Sequence, residues 1–211
     1  MAILTPEKRF LSLETAEIRA KKGEKGTVLT GYAAKFDRLS QDLGGFVEKI
    51  DKKAFDRCLQ RCDVRGLKNH DPGQLLGRTK SGTMRLSVDD TGLLYDIDLP
   101  DTQIGRDLAT EIDRGDIDGS SFSFTLEPGD GDEWDDATDP PTRTLRNIRD
   151  LFDVGPVAYP AYLDTSSSVR AFAAHVESRN LARRGQDDQW KRLRILKLRL
   201  GHSILERGIS G

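Results

Sequence analysis

The sequence predicts an α+β protein that is rich in short strands. Runs of branched and aromatic residues recur along the chain, and turn-forming glycine and aspartate separate them. Before residue 173, only two stretches, 52–59 and 104–114, carry apolar side chains at helical spacing. There is no internal repeat. These observations indicate a barrel or a sandwich of short, mostly antiparallel strands with flanking helices.

The elements follow one another with short connections. Asp51 and Thr102 stand at the starts of the two helical patterns and are predicted N-caps. The acidic segment Glu127–Pro141 contains two glycines and paired prolines, which indicate an exposed hairpin insertion. Alternating or branched runs predict strands at 8–14, 27–36, 46–50, 64–70, 75–78, 83–88, 93–99, 121–124, 142–148 and 149–157.

Charge divides the chain into a domain, residues 1–172, and a basic tail, residues 173–211. The net charge is −2, but residues 179–207 carry nine Lys or Arg against three acids. The tail begins with polar, loop-like sequence. From Asp187 it reads as an appended amphipathic helix with Trp190, Leu193, Leu196 and Leu200 along one stripe. Such a split predicts a tail that contacts a partner or the domain itself.

Several classes of protein are excluded by what the sequence lacks. No apolar run approaches the ~20 residues of a membrane span, and the N-terminus lacks a signal-peptide pattern. Cys58 and Cys62 have no histidine nearby, so neither a disulfide framework nor a metal site is expected. The basic tail has no interleaved aromatic residues, so we do not expect nucleic-acid binding. We predict a cytoplasmic protein without metal or cofactor.

The segment Arg114–Phe124 is the strongest candidate for a site. Its glycines and aspartates form a tight approach to a strand in which Ser121 and Ser123 alternate with phenylalanines. The alternation predicts that both serines share one face and that the Ser121 hydroxyl is held at a rim. Ser121 is the candidate nucleophile, and Ser120 and Ser123 are its rivals.

A serine nucleophile needs a base and an acid that orients the base. His70 is the one histidine outside the tail, and it follows a predicted strand. Asp153 lies between apolar residues of a strand, where a charge is costly unless it is paired. Asp71 is a rival acid. A metal-dependent hydrolase that uses His70, Asp71 and Asp153 is an alternative.

An ordered series of short motifs resembles the prohead (capsid maturation) proteases of tailed phages, the HK97 type. The resemblance covers residues 10–172 and rests on the whole series. The motifs are Gly31-Tyr32-Ala33, Ser40 with Gly44-Gly45-Phe46, Asn69-His70-Asp71, Leu76-Gly77-Arg78-Thr79, Asp90-x-Gly92-Leu93, Gly119–Phe124, Asp153-Val154 and Tyr159–Tyr162.

The resemblance implies a serine endopeptidase with His70, Ser121 and Asp153 as its catalytic residues. The family more often has glutamate at the third position, followed by Val-Ser, whereas this chain has Val154-Gly155. Relatedness to herpesvirus assembly proteases implies a β-barrel core flanked by helices. The implied partners are the major capsid protein, its scaffolding segment and further copies of the protease, inside the assembling prohead in the host cytoplasm. Self-cleavage is also implied. A non-catalytic shell or scaffold component is the alternative.

Overall fold

The computed structural model describes residues 6–11, 16–24, 26–158, 168–184 and 189. The chain forms two compact units, Met1–Val169 and Arg170–Gly211. Three β-sheets and helix α1 (Gln103–Asp113) make up most of the described part of the first unit. Helix α1 agrees with the predicted helix to within a residue, because Leu108 and Ile112 recur at helical spacing and are buried.

The five-stranded sheet carries the candidate site. Three of its neighbouring pairs are antiparallel, and the pair of its third and fourth strands is parallel. In spatial order its strands are β1 (Glu7–Leu11), β9 (Gly119–Leu126), β12 (Ile148–Val157), β5 (Arg65–Leu67) and β6 (Leu75–Arg78).

The other two sheets complete the domain. The four-stranded sheet is antiparallel throughout and has the order β2 (Arg19–Gly23), β3 (Gly26–Lys35), β8 (Gly92–Asp98) and β7 (Met84–Val88). The three-stranded sheet has the order β10 (Asp132–Asp135), β11 (Thr142–Leu145) and β4 (Val47–Ile50), of which the last two are parallel.

The acidic segment 127–141 is mostly exposed and forms one arm of a hairpin, as predicted, and it is also paired into a sheet. It supplies β10, which pairs with β11, and β11 in turn pairs with β4. The Trp134 ring lies 5.0 Å from the ring of Phe46. This contact and the strand pairing attach the acidic segment to the domain, which its composition did not predict.

The alternating residues of β9 divide between two environments. Phe122 and Phe124 stack at 5.0 Å between ring centroids, and the Phe55 ring meets Phe122 edge-on at 5.7 Å. These rings belong to the main hydrophobic core, so the period-two pattern predicted the core face of the strand. The serines alternate with them.

The closed barrel is not supported. In the part of the chain that the structure describes, the strands form three separate hydrogen-bonded sheets, and each has two end strands. A sequence shows which runs are strands, whereas closure depends on which edges pair over long distances.

The predicted helix at 52–59 is a run of hydrogen-bonded turns. The Leu59 N–H reaches four residues back to Phe55, whereas the Ala54 N–H reaches only three residues back to Asp51. The Asp51 side chain does accept a hydrogen bond from the Lys53 N–H at 2.8 Å. Phe55 is buried, as the pattern predicted, although the backbone is not a regular helix.

Residues 168–184 are helical, where the sequence had suggested a loop-like joint from residue 173. Alanines at 171, 173, 174 and 182 favour a helix over an irregular joint. The predicted amphipathic helix of the tail lies outside the described residues. Among the residues that are described, no helix is long and apolar enough to cross a membrane.

Candidate active site

Three adjacent strands of the five-stranded sheet bring the candidate residues together. Ser121 lies on β9 opposite Gly155 of β12, and Asp153 lies two residues earlier on β12. Asp153 also pairs with Arg65 of the parallel strand β5, and His70 follows the end of that strand. The order β9-β12-β5 therefore supplies a serine, an aspartate and a histidine from neighbouring positions.

His70 contacts both partners. Its Nε2 atom lies 2.6 Å from the Ser121 Oγ atom, and its Nδ1 atom makes a close contact with Asp153 Oδ1. A carboxylate at Nδ1 favours the tautomer that carries its proton there, which leaves Nε2 able to accept the serine proton. The arrangement has the connectivity of a nucleophile, a base and an orienting acid.

The backbone at Asn69 and His70 has an unusual conformation, which hydrogen bonds to Pro156 and Ala158 hold in place. Asn69 and His70 have φ values of 55° and 57°, in the left-handed region that non-glycine residues seldom adopt. The Asn69 N–H donates to the Pro156 carbonyl at 3.0 Å, and Asn69 Oδ1 accepts from the Ala158 N–H at 2.9 Å. These bonds hold the strained pair in place, and such strain is often found at functional sites.

Asp153 is only 8% exposed. A buried carboxylate is costly unless it is paired, and the His70 ring provides its partner. The pairing accounts for a lone acid between apolar residues of a strand.

Two of the rival residues, Asp71 and Ser120, make contacts away from His70. The Asp71 carboxylate accepts from the Gly73 N–H at 2.8 Å and from the Gln74 side chain at 3.1 Å, so it closes its own turn. Ser120 Oγ lies 3.3 Å from the hydroxyl of Tyr95, on the opposite side of β9. Asp71 therefore does not join His70 and Asp153 in a ligand set, and within the described residues no group of three acids, histidines or cysteines is arranged to hold a metal ion.

The Ser121 hydroxyl is not at a rim. Ser121 is 0% exposed, and its hydroxyl donates to the Arg9 carbonyl of β1 at 2.8 Å. No local sequence pattern indicates this contact, because it involves a backbone atom 112 residues away in the chain.

Gly155 allows β12 and β5 to approach each other beside the site. A side-chain Cβ at this position would lie 2.1 Å from the Leu67 carbonyl oxygen. The Val-Gly sequence that replaces the expected Val-Ser thus has a structural cause. The sequence shows this departure, whereas its reason lies in the contact between two strands.

Arg78, considered as an oxyanion donor, is engaged with another group. Its Nε atom donates to the Asp63 carboxylate at 2.9 Å. Through this hydrogen bond Arg78 lowers the pKa of Asp63 to about 2. The pair joins the end of β6 to the residues before β5, and the Arg78 guanidinium is bound to Asp63.

A family model described as caudovirus prohead serine protease matches residues 14–179, which is more than half of the chain. The chain belongs to this family. The matched residues include all three side chains of the His70 cluster, and the family is one of serine proteases of phage capsid maturation. Membership of this family does not support the alternative of a non-catalytic shell component.

Among solved structures, the bacteriophage T4 capsid assembly protease gp21 resembles this prohead protease with a TM-score of 0.42 and 13% identity. The likeness covers 73% of this chain and 99% of the T4 chain. A likeness this weak adds nothing to the family assignment. Among curated proteins, none matches the sequence.

Proposed function

We propose that this prohead protease cleaves peptide bonds with Ser121 as the nucleophile, His70 as the general base and Asp153 as the orienting acid. The observation that carries the proposal is the pair of contacts that His70 makes, one from each ring nitrogen. Membership of a serine protease family supports a serine as the nucleophile.

Ser121 Oγ attacks the carbonyl carbon of the substrate while His70 Nε2 takes its proton. Asp153 stabilises the resulting imidazolium through Nδ1. The tetrahedral intermediate then collapses, and His70 gives the proton to the leaving amine. Water hydrolyses the acyl-enzyme by the same sequence in reverse. Backbone N–H groups are the expected donors to the oxyanion, since the Arg78 side chain binds Asp63.

The proposed substrates are the major capsid protein, through its scaffolding segment, and the protease itself. The proposed place of action is the interior of the assembling prohead, in the cytoplasm of the bacterial host, where copies of the protease self-associate. Residues 1–172 form the protease domain in this proposal. The basic tail, residues 173–211, recruits the enzyme to the shell and is released by self-cleavage.

The test is co-expression of the full chain with the major capsid protein of the same phage, with fragment masses as the readout. We expect wild type to trim the capsid protein or its own tail and Ser121→Ala to leave both intact, because loss of a triad nucleophile costs several orders of magnitude in rate. Ser120→Ala is the matched control, since it removes the adjacent hydroxyl on the opposite side of β9. Identical fragments from wild type and Ser121→Ala would remove Ser121 from the mechanism.

A further inference from the structure

The turn that carries His70 has two central residues with positive φ. The Asp71 N–H donates to the Lys68 carbonyl at 3.1 Å, so Asn69 and His70 lie in the middle of the turn. Positive φ at both central positions is the signature of a type I′ turn, and asparagine is one of the few residues other than glycine that tolerate it. The turn therefore ends the extended course of β5 directly before His70.

Asn69 continues the pairing of β5 with β12 beyond the last residue of β5. The two strands are parallel, and Gly66 pairs with Val154. The same register carries Asn69 to the place opposite Val157. In a parallel pair, a residue donates its N–H to the carbonyl that precedes the residue it faces, and its own carbonyl accepts from the N–H that follows that residue.

The Asn69 side chain supplies the acceptor for this pairing. The Asn69 N–H donates to the Pro156 carbonyl at 3.0 Å, as the N–H of a strand residue would. The second bond ends on the side chain, where Asn69 Oδ1 accepts from the Ala158 N–H at 2.9 Å. Asparagine side chains commonly replace a backbone group in turns. The amide oxygen thus completes one more step of the pairing at the residue where the backbone turns.

The bonds of Asn69 lie beside the point of β12 that faces the candidate nucleophile. Gly155 pairs with Ser121, and Pro156 is the next residue of β12. His70 directly follows Asn69, and its Nε2 atom lies 2.6 Å from Ser121 Oγ. The backbone that carries the base is therefore bonded to the same strand that faces the nucleophile.

The neighbouring side chains of the turn are bonded to other groups. Lys68 Nζ donates to Glu111 of α1 at 2.5 Å, and the Asp71 carboxylate accepts from the Gly73 N–H at 2.8 Å. Asn69 is exposed, so its amide does not belong to the hydrophobic core. Loss of this amide should change the link between His70 and β12 rather than the packing of the domain.

We propose that Asn69 is a positioning residue for His70. Its amide oxygen, bonded to the Ala158 N–H, holds the His70 ring at the distance from Ser121 that proton transfer requires. A misplacement of about 1 Å in a catalytic group can slow a reaction about a hundredfold. This inference rests on the proposed function of Ser121, and it adds to that function the group that fixes the position of the base.

The test measures the rate at which the full chain trims the co-expressed major capsid protein, read as the fraction of uncut protein over time. Asn69→Gly keeps the positive φ and removes the amide oxygen. Asn69→Asp is the conservative variant, because its carboxylate accepts the same hydrogen bond. The matched control is Asp71→Ala, which removes one side-chain bond to a backbone N–H on the other side of His70.

A second readout is the NMR signal of the proton on His70 Nδ1 in the purified, folded chain. This proton lies in the contact with Asp153, so its chemical shift and its rate of exchange with water report the position of the ring. A residue that only stabilised the fold would leave both unchanged in a protein that is still folded.

We expect Asn69→Gly to trim the capsid protein at least tenfold more slowly than wild type, with a shifted and faster-exchanging Nδ1 proton. We expect Asn69→Asp and Asp71→Ala to stay within about threefold of the wild-type rate. If Asn69→Gly does not fold, Ala158→Pro removes the same hydrogen bond from the donor side and takes its place in the comparison.

The outcomes separate this inference from the proposed function. Equal rates and an unchanged Nδ1 signal in wild type and Asn69→Gly would show that Asn69 does not position His70. The inference also fails if Asn69→Asp or Asp71→Ala is as slow as Asn69→Gly, since the amide oxygen is then not the cause. In each of these cases the proposed function stands. If the folded wild type does not trim the capsid protein at all, the proposed function fails, and this inference fails with it.

Discussion

Replacing Gly155 by alanine should force β12 and β5 apart beside the candidate site. The added Cβ would lie 2.1 Å from the Leu67 carbonyl oxygen, whereas ordinary contacts begin at 3.4 Å. The two strands would have to separate locally by about 1.3 Å, the difference between these distances. The neighbouring atom is backbone, so no side chain can move out of the way.

The energetic cost follows from this contact and from the backbone conformation. Overpacking in a well-packed interior costs about 1–3 kcal/mol. Gly155 has φ +157°, at the limit of the region that favours glycine, and this adds roughly 1 kcal/mol for alanine. We expect Gly155→Ala to lower the free energy of unfolding by about 3 kcal/mol. We also expect it to reduce proteolytic activity, because His70 follows β5 and Asp153 lies on β12.

The measurement is urea-induced unfolding of the full chain, with Gly82→Ala as the matched control. Gly82 also has a positive φ, of 72°, but an added Cβ would meet nothing within 4 Å. Gly82→Ala should therefore cost only about 1 kcal/mol of conformational strain. The reasoning would be refuted if the two variants had the same free energy of unfolding, since the close approach to Leu67 would then carry no cost.

Two further predictions concern the ion pairs. Asp153→Asn should keep the fold but slow substrate cleavage about ten-thousand-fold, because an amide no longer holds the His70 ring in the required tautomer. Asp150→Asn on the same strand is the control. Equal cleavage rates for the two variants would contradict the role assigned to Asp153. The pKa of Asp63 is about 2 in the folded protein, below its ordinary value of 3.8. The pair of Asp63 with Arg78 therefore stabilises the fold fully above about pH 4, and this stabilisation is lost as the pH falls towards about 2. The difference in Tm between wild type and Arg78→Gln should therefore narrow over that interval in scanning calorimetry, and a constant difference would show that the pair does not stabilise the fold.

The sequence alone determined what depends on neighbouring residues. The alternation of Ser121 to Phe124 predicted which side chains of β9 enter the core, and the helical spacing at 104–114 predicted α1. Ser121, His70 and Asp153 were selected from residue type and motif order, and their side chains do contact one another. Their catalytic roles stay predictions.

Only the tertiary structure decided what depends on distant residues. His70 and Asp153 are 83 residues apart in the chain, and Ser121 and Arg9 are 112 apart, so no local pattern records that they meet. The burial of the Ser121 hydroxyl, the open sheets and the attachment of the acidic hairpin to β4 all arise from pairing between remote strands. The periodicity of a strand determines which side chains lie on each of its two faces. Which strand it pairs with depends on the whole domain, because hydrogen-bonding edges and buried surfaces from distant parts of the chain compete during folding.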